Sequence, residues 1–185
     1  MTLPTRANLP ERDSKILIGI SACLLGHEVR YDGGHKLNVG IRDSLGEGFI
    51  AEAICPEFEI GLGVPRETLG LFEGVEQAAN PRMVAHESRS DHSDAMRRHC
   101  RKRIGLLMER GICGFIAKEK SPSCGPDGIV VMGQNGEEVH RKGRGLFIEV
   151  LLEYLPELPV EDEAGLVEAS QREAFLAKVV AYHDR

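Results

Sequence analysis

The sequence predicts an α/β fold: a parallel sheet flanked by helices, in a single domain. Three observations carry this. The runs "KILIGIS" (15–21), "FIAEAICPE" (49–57) and "GICGFIAKEKSPSCG" (111–125) are apolar, rich in β-branched residues, and each leads into a turn bearing a cysteine. Helix-period segments alternate with them, and right-handed crossovers then lay the strands parallel with helices on the faces. Finally, 185 residues suffice for one packed domain and are too few for two comfortable ones.

Taken in order, "MTLPTRANLPERDS" (1–14) is polar and proline-marked, and reads as a flexible lead-in. The first strand follows at 15–21, then a short helix over 36–47 and the second strand, which ends at Pro56. Residues 61–89 are irregular and read as a loop or short hairpin folded over the strand ends. The clearest helix is "SDHSDAMRRHCRKRIGLLMERG" (90–111), with Met96, Cys100, Ile104, Leu107 and Met108 at helical spacing. Ser90 or Ser93 caps its start and Gly111 closes it. The third strand begins at Gly111, and helices over 143–156 and 166–183 end the chain, separated by "PELPVEDE". The core domain is thus 15–156, with 157–185 as a helical extension.

A net charge of −6 gives no general reason to expect a nucleic-acid or membrane partner, and no apolar run reaches the length of a membrane span. With five cysteines and no export signal, a disulfide framework is disfavoured. A cytosolic metal or reactive-thiol role fits better. Cys100 lies on the apolar face of the clearest helix and Cys113 opens a buried strand, so both read as core residues.

Cys23, Cys55 and Cys124 differ. All three fall just beyond the carboxyl ends of predicted strands, where ligands of parallel sheets bind. Three thiolates from three loops can hold a cubane iron–sulfur cluster and leave one iron open. They can also bind zinc with His27 or His35, although no C-x2-C pair is present, or act in a Cys-His pair. Buried structural cysteines are the plainest alternative. Glu57 of "CPE" and the hydroxyls Ser121 and Ser123 of "KSPSC" sit beside the cysteines. A carboxylate, a hydroxyl and a Lewis-acidic metal together suit the addition of water to a polarised carbon.

"SACLLGHEVRYDGGHK" (21–36), "CPEFEIGLGVPRE" (55–67) and "KSPSCG" (120–125) resemble the thiouracil desulfidase family, with similarity over about 15–150. The resemblance implies a cytoplasmic enzyme with a [4Fe-4S] cluster on Cys23, Cys55 and Cys124, one iron being open to the substrate. It places the catalytic carboxylate on Glu57 and the catalytic serine on Ser121. The implied reaction is non-redox: sulfur of a thiolated pyrimidine meets the open iron, Glu57 acts as base on a water, and Ser121 orients that water or relays a proton. Hydrosulfide leaves and a carbonyl remains. The tail from 140 resembles the form that precedes a second domain in tRNA 4-thiouridine desulfidases, so free base, nucleoside and tRNA all stand as substrates.

Ser123, Asp32 and Arg66 are the expected substrate contacts, the latter two holding the pyrimidine edge. Two basic clusters, "RRHCRKR" (97–103) and "HRKGR" (140–144), are placed to touch phosphate or to form solvated faces. Two other readings use the same cysteines: a binding module stapled by metal, and an accessory domain that senses or delivers sulfur.

Overall fold

The computed structural model describes residues 15–74 and 81–185; the expected lead-in, 1–14, lies outside them. In chain order the elements are β1 (Ile16–Ser21), a 3-10 turn (Ala22–Leu25), α1 (Val39–Ser44), β2 (Phe49–Ile54), α2 (Pro56–Glu59), β3 (Leu69–Phe72), β4 (Arg82–Ala85), α3 (Ser93–Glu109), β5 (Gly114–Ala117), β6 (Ile129–Met132), β7 (Glu138–Gly143), α4 (Leu146–Tyr154), β8 (Val160–Asp162) and α5 (Ala169–His183).

The three predicted strands make up three of the four strands of a parallel sheet ordered β2-β1-β5-β8, with β1 and β5 at its centre. β1 runs between its neighbours, pairing Ile16–Ser21 with Phe49–Ile54 on one side and Ile18–Ile20 with Gly114–Ile116 on the other. Ile18, Ile20, Phe115 and Ile116 are buried, which explains why β1 and β5 read as unbroken apolar runs rather than alternating ones. Gly19 allows β5 to pack closely: a Cβ there would stand 2.6 Å from the Phe115 ring.

α3 matches the clearest predicted helix, with Met96, Cys100, Ile104 and Leu107 buried. Its first turn is fixed differently from the expected serine cap. His92 is the cap residue, and the Ser93 hydroxyl instead donates to Asp91 while accepting the Met83 N–H of β4. Gly111 ends the helix at φ +72°. The expected helix over 36–47 is reduced to the six residues of α1, capped by Asn38, whose Oδ1 accepts from Ile41 N at 3.0 Å.

A second, mixed sheet ordered β4-β3-β6-β7 was not foreseen as a unit. β3 and β4 are antiparallel within the stretch expected to be a loop or hairpin, and β3 lies parallel to β6. β7 contains much of the "HRKGR" cluster and is mostly exposed, so it lacks the apolar alternation by which a strand is recognised. The segment "PELPVEDE" holds β8, three residues that pair with β5 at the sheet edge. Beyond it, α5 buries Phe175, Val179 and Tyr182, so residues 157–185 contribute both an edge strand and core side chains. Among the described residues no helix is long and apolar enough to cross a membrane.

Candidate active site

The carboxyl ends of β1, β2 and β5 open onto one cavity of about 410 Å³. Cys23 enters it from the 3-10 turn after β1. Cys55 is the N-cap of α2, with Pro56 at the first helical position, where a missing N–H costs nothing. Cys124 arrives on the loop after β5. Glu57, Arg66, Ser121 and Ser123 share the same walls. Three thiols as far apart in the chain as Cys23 and Cys124 are thereby gathered by sheet topology alone.

Each sulfur has a defined setting. Cys55 Sγ lies 3.8 Å from the Val29 carbonyl, and its backbone N–H donates to Glu59 Oε1 at 3.1 Å. Burial, reinforced by the nearby charge of Cys55, pushes the Cys23 thiol up to about 11. Burial raises Cys55 as well, against a lowering hydrogen bond from the Phe58 amide. Cys124 is raised furthest, by burial first and by Cys55 next. All three are therefore neutral thiols near pH 7.

Glu57 is held at both oxygens. Its Oε2 accepts from Arg66 Nη2 at 2.8 Å and Nε at 3.1 Å, while Oε1 accepts from the Ser123 hydroxyl at 2.8 Å. The Arg66 and Glu57 side chains are only 7% and 13% exposed. Arg66 Nη1 also donates to the carbonyls of Val29, at 3.0 Å, and Gly63, at 2.9 Å. The guanidinium is thus a brace between the Glu57 carboxylate and two loops.

The "SPSCG" loop is shaped around the Ser121 hydroxyl, which accepts from Cys124 N at 3.1 Å and Ser123 N at 3.4 Å. From outside, α4 clasps the loop. Leu146 N donates to Pro122 O at 3.1 Å, Phe147 N to Ser123 O at 2.9 Å, and Gly145 N to Gly125 O at 2.8 Å. The otherwise unpaired amides of the helix start thus find partners in the loop carbonyls.

Of the residues expected from sequence, Cys23, Cys55, Cys124, Glu57, Ser121, Ser123 and Arg66 line this one cavity. Asp32 is not among its lining residues; its side chain is 46% exposed and accepts from Gly34 N, and that hydrogen bond holds its carboxyl low. His27 and His35 are also absent from the lining, and His35 Nδ1 accepts from Leu37 N. The sequence reading missed Lys118, which lines the cavity and is ion-paired to Glu163, whose other oxygen accepts from Glu119 N at 2.7 Å. The position of Lys118 just after β5 was a usable signal; the reach of Glu163 from the segment after β8 was not.

The donor set bears on which group fits. Among the described residues no three His, Cys, Asp or Glu side chains form a group that could hold a single metal ion. A cubane cluster asks for something different, because each thiolate binds its own iron at a separate corner. Three thiols spaced around a common cavity suit that requirement.

The family model described as 2-thiouracil desulfurase matches residues 18–163. The chain is similar to the uncharacterized protein YbbK of Bacillus subtilis (strain 168), 31% identical over 130 residues, covering 69% of this chain and 85% of that protein. It also resembles the solved structure of the [4Fe-4S]-dependent thiouracil desulfidase TudS, with a TM-score of 0.65 and 34% identity, covering 88% of this chain and 99% of that one. The chain belongs to the 2-thiouracil desulfurase family.

Proposed function

We propose that the protein is a [4Fe-4S]-dependent desulfidase that converts the thiocarbonyl of a thiolated uracil or 4-thiouridine to a carbonyl and releases hydrosulfide. The observation that carries this reading is the single cavity lined by Cys23, Cys55 and Cys124 together with Glu57, Ser121 and Ser123. Family membership and the likeness to TudS support it. Cys23, Cys55 and Cys124 would hold the cluster. When bound, it supplies a Lewis-acidic iron without a protein ligand, which polarises the thiocarbonyl.

The chain supplies the remaining chemistry. Glu57 is the base that takes up the proton of the attacking water, fixed by Arg66 and Ser123 so that its carboxylate does not wander. Ser121 holds the water. Ser123 and the loop amides keep Ser121 aimed. No electron donor is needed, since water replaces sulfur at the carbon without a change in its oxidation state. Five cysteines, none of them in a disulfide among the described residues, fit a reducing cytoplasm.

The substrate is a small thiolated pyrimidine. Much of the basic character of α3 is internally engaged: Arg97 pairs with Glu149, Arg103 with Glu52 and Glu59, Arg110 with Glu52, and His99 with Glu59. Those residues are poorly placed to grip a phosphate backbone, whereas Arg98, Arg101 and Lys102 are exposed, so the reading of a small thiolated pyrimidine rests on family membership and not on the lack of a basic surface.

Anaerobic reconstitution with iron and sulfide tests the proposal. Wild type takes up about four irons per chain, as a cubane requires, and turns over 4-thiouracil or 4-thiouridine. Cys124→Ala loses both properties. Glu57→Ala keeps its iron and loses roughly 100-fold or more in kcat. Colourless protein that retains zinc and leaves thiolated pyrimidines intact would overturn the reading.

A further inference from the structure

Lys118 is the first residue beyond β5, and it forms part of the cavity wall together with Cys23, Glu57 and Ser121. Its place is fixed twice. The backbone N–H donates to the Ser21 hydroxyl at 2.9 Å, and Ser21, the last residue of β1, is buried. The ammonium is ion-paired to Glu163, the two side chains being 17% and 16% exposed.

Glu163 comes from the turn after β8, which is closed by Asp162: its Oδ1 accepts from Ala164 N at 2.9 Å and Gly165 N at 3.1 Å. The second oxygen of Glu163 accepts from Glu119 N at 2.7 Å. That bond alone ties the turn to the end of β5. The pairing with Lys118 goes beyond the tie, because it sets a cation in the wall of the cavity. Glu163 is not among the lining residues, so the anion stands outside the space that Lys118 borders.

An ammonium has three N–H donors. Glu163 takes one, and the Glu119 carbonyl, at 3.4 Å, takes a second. The Glu119 carboxylate, at 3.7 Å, is too distant for a hydrogen bond. One donor is left for a ligand. Arg66, the more deeply buried cation of the same wall, is committed to Glu57 and to the carbonyls of Val29 and Gly63. A thiolated uracil reacts at one ring carbon and keeps an exocyclic oxygen on the carbon across N3. That oxygen is an acceptor, and the 2-thio and 4-thio isomers place it alike relative to the reacting carbon.

We propose that Lys118, positioned by Glu163, donates a hydrogen bond to the exocyclic oxygen that the reaction leaves in place. The inference rests on the protein being a desulfidase of thiolated uracils, and it says which pyrimidines the cavity prefers. Rings with an acceptor oxygen across N3 bind well, and rings with only hydrogen at that carbon bind weakly. The contact takes no part in breaking the C–S bond, so its loss shows in KM rather than in kcat.

The test uses reconstituted protein. KM and kcat are measured with 4-thiouracil, and uracil is compared as an inhibitor with pyrimidin-4-one, which lacks the oxygen at C2. Neither inhibitor carries sulfur, so their inhibition constants read binding without chemistry. Wild type is expected to bind uracil about 10- to 100-fold more tightly than pyrimidin-4-one, as loss of a hydrogen bond from a charged donor implies. Lys118→Met should keep its iron, raise KM by about the same factor, change kcat far less, and lose the preference for uracil. Lys118→Arg, which keeps a cationic donor, should retain most of that preference. Glu163→Gln keeps Lys118 but loosens it, and should raise KM and narrow the preference.

Equal binding of uracil and pyrimidin-4-one by wild type would overturn the contact without recourse to any variant. A preference that survives in Lys118→Met, an unchanged KM there, or loss of its iron would do the same. Should Lys118→Met not fold, Glu163→Gln takes its place, and an undiminished preference for uracil in that variant overturns the contact. The two readings fail separately. Reconstituted wild type that leaves every thiolated pyrimidine intact removes the desulfidase and the contact with it, whereas active wild type indifferent to the C2 oxygen removes only the contact.

Discussion

Arg66 shows how much one side chain can organise. It holds Glu57 Oε2 and also ties down the carbonyls of Val29 and Gly63, and Val29 is the group that Cys55 Sγ approaches. Replacing it by Ala would leave a largely buried carboxylate without its counter-charge, at a cost of about 3 kcal/mol. Arg66→Ala should therefore lower the unfolding midpoint and kcat together. Arg66→Lys should recover part of the stability but less of the activity, because an ammonium cannot fork onto the carboxylate. Denaturant titration and steady-state kinetics on the same samples check this. The spacing of Arg66 after "CPE" was visible in the sequence, and its approach to the site with it. Its partner was not, because the choice between substrate and Glu57 depends on where a loop turns.

Among the elements, α4 has a role beyond packing. Its first amides hold the loop that carries Ser121, Ser123 and Cys124, and Gly145 is what lets the two backbones meet. A Cβ at Gly145 would stand 2.5 Å from the Ser123 carbonyl carbon and 2.7 Å from Cys124 N, both of them backbone atoms. Gly145→Ala should cost roughly 1–3 kcal/mol as an overpacking change. If Cys23, Cys55 and Cys124 hold the proposed cluster, it should also reduce iron retained after reconstitution and desalting, though it alters none of the three cysteines. An iron assay beside a thermal melt checks both effects. The central strands were legible because full burial makes them apolar throughout, and α3 because one face repeats at helical spacing. β7 and β8 were not. One is charged and exposed, and the other has three residues whose strand character comes only from the β5 edge beside it.

For the molecule as a whole, buried thiols make stability depend on pH. Cys23 is raised to about 11 and Cys100 to about 12, with Cys55 and Cys124 also raised, burial being the largest cause in each case. In the unfolded chain these thiols ionise near 8.5. Below that pH folded and unfolded chains both keep the protons, and the stability linked to the thiols is fully present. Above it the unfolded chain loses protons that the folded chain retains, so stability falls as pH climbs from about 8.5 towards 11. Metal-free protein should accordingly show a falling melting temperature across that window, and Cys100→Ala should soften the slope. Calorimetry at stepped pH measures it.

The pairing of β8 with β5 has a consequence during synthesis. β1, β2 and β5 can associate as soon as residue 117 has emerged, but the strand that covers the outer edge of β5 begins only at Val160. Until then the nascent chain presents the buried segment Gly114–Ala117 as an open edge, a template on which a neighbouring chain can add a strand. The late strand removes that hazard with two acidic residues, Glu161 and Asp162, leaving a short charged border where an apolar one had been.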